Sequence, residues 1–322
     1  MERIIHMEKL TDHPEWNESY YFVFYDNQKR LGGMSRIGFK PNKQEGMTFF
    51  FLFLPNGSVA GYHQEIHIKE LKNRLKVRGM YHDWQADGNW YFKFNGNMFF
   101  VENSLDLPKI TQNPKLIQKV EKVDMDFLYT PINEVYEYSE YMTPESLEIG
   151  KKSGDKHWEQ IGLVSGDLKI GDALFRFNNA MSQRDHTYGV RDWTGVGDWF
   201  YYVVWFNKDL AINPAAIVTD DGRLSTGGFL YKKGKNIPLK KINILNQKFE
   251  QKGVLPISSE LEIIDNDGNK HKLEAKVGKI IPVPFKDFQG NQSVLIQSFG
   301  KFKLNGTEDG YGTFETLRKI RN

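Results

Sequence analysis

The chain contains no cysteine, which excludes disulfides, thiolate metal sites and cysteine nucleophiles together and agrees with a reducing compartment. No apolar run approaches the ~18 residues that a bilayer-spanning helix needs. The start, Met1-Glu2-Arg3-Ile4-Ile5-His6, lacks a signal-peptide core. These absences predict a soluble, cytoplasmic protein without a transmembrane segment. An excess of one charge is missing as well: 43 Lys and Arg stand against 41 Asp and Glu. The basic residues are scattered, so there is no footprint for nucleic acid. A phosphate loop and a G-x-S-x-G elbow are both absent, and Gly195-Val196-Gly197 lacks the strand-turn-helix context of a dinucleotide site. Nucleotide and serine-hydrolase chemistry is unsupported.

Aromatic residues are abundant. There are 23 Phe, 15 Tyr and 7 Trp, a bias that favours strands over helices and predicts an all-β protein. At 322 residues the chain exceeds the size at which one core stops growing, so two domains are expected. From Ser19 to about Leu107, β signals alternate with turns such as Pro55-Asn56-Gly57. Residues 108–157 are punctuated by Pro108, Pro114, Pro131 and Pro144 and end in the polar run Gly150–Lys156. This segment reads as the linker, with one short helix near Ile132–Tyr141. The division expected is a first β-barrel domain over residues 1–150 and a second over 151–322. Strands in the second half are expected from Trp158, among them Trp158–Val164, Ala173–Phe177 and Gln183–Tyr188. Gly88–Asn95 echoes Gly171–Asn178, which suggests an internal duplication.

The densest concentration of chemistry is Gln183-Arg184-Asp185-His186-Thr187-Tyr188-Gly189-Val190-Arg191-Asp192-Trp193. On a strand, Arg184, His186 and Tyr188 share one face, Asp185 and Thr187 the other, and Gly189 permits a sharp turn. Arg-Asp pairs mark catalytic sites and structural staples alike. Glu159 shares a face with Ile161 and Leu163, so an apolar interior would carry its carboxylate inside, where it needs a partner or a proton. Arg184 or Arg191 could supply the partner. His186 has the proton affinity for acid–base work near neutrality. Asp185 and Asp192 are the other candidate proton donors, and whichever is not paired to arginine is the better acid. His63-Gln64-Glu65-Ile66-His67 is a competing constellation, because His63, Glu65 and His67 share one face in a two-histidine, one-carboxylate arrangement that suits iron.

Trp158-Glu159-Gln160 with Gly162 and Gly166, followed by Arg184-Asp185-His186-Thr187-Tyr188-Gly189-Val190-Arg191-Asp192-Trp193, resembles the signature of the AttH/CrtC-like tandem lipocalin family, which includes carotenoid hydratase. Asn17-Glu18-Ser19-Tyr20-Tyr21-Phe22, Gly32-Gly33, Arg36-Ile37-Gly38 and Gly310-Tyr311-Gly312 with Glu315 extend the resemblance over most of the chain. Tyr188 stands where the carotenoid hydratases carry tryptophan. The resemblance implies two lipocalin-like (calycin) antiparallel barrels in tandem, with a pocket for a hydrophobic molecule at their junction. It also implies cofactor-free chemistry on isoprenoids, in which an acidic side chain protonates a double bond and water or an internal nucleophile captures the cation. Related folds serve as terpenoid cyclases and Diels–Alderases.

The leading expectation is therefore an acid-initiated cyclase or hydratase acting on a hydrophobic isoprenoid, lipid-like or polyketide-like substrate. Asp185 or Glu159 is the acid, and His186 and Tyr188 position or relay a proton. Arg184 and Arg191 fix the carboxylates, and Asp192 and Trp193 complete the substrate-binding set. No cofactor or metal is expected at this site. The rival reading is a non-catalytic carrier of a hydrophobic small molecule, in which the same polar residues are structural.

Overall fold

The computed structural model describes residues 11–68, 75–151, 153–250 and 253–321, so the expectation on Met1–His6 lies outside the described residues. Strands β1 (Trp16–Asp26), β2 (Leu31–Lys40), β3 (Glu45–Phe53) and β4 (Val59–His67) are followed by β5 (Leu75–Val77) and β6 (Met80–Trp84). Next come β7 (Trp90–Val101), β8 (Lys119–Pro131), the short β9 (Tyr136–Glu137) and helix α1 (Pro144–Gly150). The long strands β10 (Lys156–Ile170) and β11 (Ala173–Val190) then precede β12 (Asp198–Asn207), β13 (Leu210–Val218), β14 (Leu224–Lys232) and β15 (Lys235–Phe249). The last are β16 (Pro256–Asp265), β17 (Lys270–Lys286), β18 (Gln292–Leu304) and β19 (Glu308–Lys319).

These elements form two compact units, each discontinuous in sequence. The first runs to Val135 and resumes over Gly154–Arg191; the second is Tyr136–Ser153 together with the chain from Asp192 onward. In the first unit the strand order is β4-β3-β2-β1-β11-β10-β8-β7, and β7 pairs back onto β4, which closes an antiparallel ring with the β5–β6 hairpin attached at β7. Period-two alternation fills it: Tyr20, Phe22 and Phe24 from β1 and Val123, Met125, Phe127 and Tyr129 from β8 all enter one core. Phe22 stacks on Phe92 at 3.8 Å, and such aromatic pairs each add about 1 kcal/mol beyond their buried area.

In the second unit β12 to β19 form a closed barrel in sequence order. Its core takes Phe200, Tyr202 and Val204 from β12, Leu261 and Ile263 from β16, and Phe314 from β19. Both units are thus lipocalin-like β-barrels, and the all-β expectation holds.

The division of the chain differs from the one expected at residues 150 and 151. β10 and β11 complete the first ring because their register pairs β10 with β8 and β11 with β1. The segment expected to be a linker contains β8, whose alternation of Val123, Met125, Phe127 and Tyr129 with Lys122, Asp124 and Asp126 is a strand pattern between flanking prolines. The short helix falls at Pro144–Gly150, with Thr143 capping it, not at Ile132–Tyr141. Ala173–Phe177 and Gln183–Tyr188 are one continuous strand. The echo between Gly88–Asn95 and Gly171–Asn178 joins β7 and β11 of the same ring, so it does not report a duplication between units.

Candidate active site

The sheet formed by β10, β11, β1, β2 and β3 carries two polar clusters, one on each face. On the face turned from the ring core, register aligns Glu159, Asp185, Tyr21, Arg36 and Phe49 in one cross-strand row. His157, Thr187 and Ser19 lie in the row on one side, and Ile161, Gln183 and Val23 on the other. Glu159 is fully buried. Its Oε1 lies 2.6 Å from His157 Nε2, and Gln183 Nε2 donates to its Oε2. The opposite ring nitrogen, His157 Nδ1, is 2.6 Å from Thr187 Oγ1.

Asp185 sits between Tyr21 and Glu159 and is half-buried. Among the described residues it accepts no hydrogen bond. Burial raises its proton affinity first and the Glu159 carboxylate second, against His157, Arg191 and Arg36, and the carboxyl is pushed up to about 6. Burial, with the charge of Arg191 and the proximity of His186, pushes His157 down to about 4, although Asp185 opposes the shift. His157 nevertheless keeps 27% of its side chain exposed, so protons can exchange with solvent. The ordinary order of an aspartate and a histidine is inverted. Near pH 5 the site holds a protonated carboxyl beside a neutral imidazole, where water would give an ion pair.

His157, Glu159 and Asp185 also bring one ligand atom each within 4.8 Å of one another, and they are the residues on this face that could hold a cation. Both ring nitrogens of His157 are already engaged. A cation would have to displace the His157–Glu159 hydrogen bond, so a proton is the counter-charge this geometry accommodates directly.

The ring-core face holds the other expected residues. His186 Nε2 is 2.9 Å from Glu18 Oε1, which also accepts from Tyr20 Oη at 2.7 Å. The imidazole is stacked between Tyr20, at 4.3 Å, and Trp158, at 5.0 Å. Tyr188 packs against Trp16 and Trp158. Arg184 donates from Nε to Gln160 Oε1 and lies over Trp90. The expected catalytic quartet is therefore split: Asp185 and Glu159 are together, His186 and Tyr188 are on the opposite face, and alternation along β11 forbids a direct relay between the two pairs. Arg184 cannot fix the carboxylates for the same reason. Glu159 is held by His157 and Gln183, while Arg191 acts on Asp185 through its charge.

Asp192 and Trp193 belong to the second unit. Asp192 Oδ1 accepts from Thr194 N, Thr194 Oγ1 and Gly195 N and so closes a local turn. Trp193 stacks on Phe285 at 4.6 Å. Gly189 lies within β11 and not at a turn; with φ of +130°, a Cβ there would meet Asp155 N at 2.1 Å. His63, Glu65 and His67 project from β4 with His63 and Glu65 largely exposed, and only a 3.6 Å His63–Glu65 approach joins them.

Sequence reasoning missed His157 and gave Gln183, Tyr21, Arg36 and Glu18 no role of their own. The signal for His157 was its spacing of two from Glu159, which starting the strand at Trp158 hid. Tyr21 and Arg36 needed the β1–β11 and β1–β2 registers.

The fold is that of a tandem lipocalin-like barrel protein. Three solved structures share that fold. A candidate AttH of Nitrosomonas europaea superposes with a TM-score of 0.62 at 11% identity, covering 99% of this chain and 98% of that one. Kievitone hydratase of Nectria haematococca gives 0.55 at 7% identity, with 95% and 89% covered. CghA gives 0.55 at 10%, with 96% and 88% covered, and has also been solved with Sch210972. No curated protein matches the sequence. Residues 4–320 match the family described as Domain of unknown function (DUF7064), and the chain belongs to that family.

Proposed function

We propose that this protein is an enzyme that protonates a carbon–carbon double bond of a hydrophobic, isoprenoid or lipid-like substrate without a cofactor, completing the reaction as a hydration or a cyclisation. Asp185 is the donor. The observation that supports this reading most is its environment: a half-buried carboxyl with no hydrogen bond from the described residues, directly across the strand pair from a buried carboxylate and pushed up to about 6. At pH 7 about one molecule in ten then carries the proton, against fewer than about one in a thousand for an ordinary aspartic acid.

The Asp185 O–H bond breaks as the new C–H bond forms. In a hydration, water adds to the resulting cation and releases a proton to bulk water; in a cyclisation the ring cation loses its proton in the same way. Proton exchange with solvent restores Asp185. Aromatic faces such as Tyr21 and Phe49 in the same rows stabilise a developing cation. The similar fold of kievitone hydratase, a hydratase by its name, supports the reaction class. A cytoplasmic location accords with a chain lacking cysteine.

The test is incubation with geraniol, farnesol, geranylgeraniol and linoleic acid in ¹⁸O-labelled water, with products read by mass. Hydration adds labelled water, cyclisation leaves the mass unchanged and shifts retention, and Asp185→Asn should lower either rate at least about a hundredfold. An equal rate for that variant would sink the assignment. Ligand retention with no chemical change in the wild type would mark a carrier instead.

A further inference from the structure

Burial raises the proton affinity of Asp185 first, and the carboxylate opposite adds to it only while it remains charged. Two like-charged carboxylates directly opposed across an antiparallel pair repel, and the cheapest relief is for one to take a proton. Which one does so is decided by the hydrogen bonds. Glu159 has a partner on each oxygen, His157 at Oε1 and Gln183 at Oε2; the Gln183 amide donates, as does the imidazole in its Nε2–H tautomer, and donors to both oxygens favour the charged form. Asp185 has no such donor.

We propose that Gln183 and His157 are positioning residues for Asp185, each pinning one oxygen of buried Glu159 so that an anion stays directly across the strand pair from the proton donor. The proposal rests on Asp185 as the acid and names what makes it one. Both supports are built into the strands. Gln183 is one residue pair along β11 from Asp185 on the same face, buried to 1% exposure, and His157 is two residues before Glu159 on β10.

The groups facing Asp185 are Glu159 and His157 from β10, Tyr21 from β1, Arg36 from β2 and Arg191 just beyond β11. Of these only Glu159 acts to retain the proton on Asp185, while both arginines act to remove it, joined by His157 only when it is charged, below about pH 4. If Glu159 were neutral, burial alone would oppose the arginines and Asp185 would release its proton at a lower pH. Arg36, in the same row, donates from one guanidinium nitrogen to Asn17 Oδ1 at 3.0 Å. Thr187 fixes the imidazole of His157 in turn, holding Nε2 toward Glu159.

The protein can be tested without a substrate. Aspartate labelled with ¹³C at the side-chain carboxyl reports Asp185 directly, with Asp185→Asn assigning its resonance. In the wild type the resonance should titrate near pH 6. Gln183→Leu, close in volume but without the donor, should lower that midpoint by about one pH unit, a tenfold loss of proton affinity, and His157→Asn should lower it in the same direction. A change that merely loosened packing would not shift an Asp185 midpoint in a protein whose near-ultraviolet circular dichroism is native. A midpoint unmoved or raised in the variants, with the wild type still near 6, overturns the positioning role alone. A wild-type midpoint in the ordinary aspartate range sinks the acid reading itself. Should Gln183→Leu fail to fold, Gln183→Met and His157→Asn decide.

Discussion

The two faces of β11 carry nearly the same chemistry in different states. On the ring-core face His186 meets Glu18 with both side chains sealed, and the carboxylate oxygen that faces the imidazole also receives Tyr20. On the other face His157 meets Glu159, but Asp185 stands beside them half-buried and without a hydrogen bond from the described residues. A histidine–carboxylate pair is in itself neither a site nor a staple. A sealed pair has every partner it needs and no route for a proton, whereas a pair beside an accessible acid is able to exchange protons with solvent and substrate.

The sharpest way to break this comparison is at Asp185. Asp185→Asn keeps the shape and removes the titrating proton, so turnover should fall about a thousandfold while thermal melts show stability within about 1 kcal/mol of the wild type. Next comes His186→Ala, which leaves Glu18 buried without its imidazole. Chemical denaturation should register a loss of about 3 kcal/mol. A stability change near zero there would mean that the sealed face is not a staple.

A smaller effect concerns pH. His82 is buried against Phe92, neither ring nitrogen has a partner among the described residues, and burial pushes it down to about 3. Its folded-state proton affinity, like that of His157, lies below the unfolded value near 6.5. The stability each contributes is therefore complete above pH 6.5 and is lost as pH falls toward about 3 and about 4 respectively. Asp185 has the opposite sign, contributing below the unfolded value of 3.8 and losing that contribution as pH rises through about 6. Urea melts at pH 7 and 4.5 should show that His82→Leu reduces the acid loss by about 2 kcal/mol. An undiminished loss would place the acid sensitivity elsewhere. The smallest effect belongs to exposed histidine: His63→Ala should change neither stability, beyond about 0.5 kcal/mol, nor turnover.

Much of the first ring was readable residue by residue. Alternation placed Asp185 with Thr187 and opposite His186, and it put Glu159 on the face of Ile161. The same rule, applied consistently, separates Asp185 from His186 and forbids the relay expected between them. β8 was hidden by its flanking prolines although Val123, Met125, Phe127 and Tyr129 alternate without a break. Gln183 was within the cluster from the start, but its role as a donor to Glu159 required the β10–β11 register, which no local pattern specifies.

The sequence by itself determined the all-β class, the strand periodicity and which side chains of β11 share a face, because each follows from backbone geometry over a few residues. Only the tertiary structure decided which strands closed the first ring, that Glu159 lies opposite Asp185, and that Gln183 and His157 hold it. Those facts depend on strand register and burial, which are set by contacts between residues far apart in the chain.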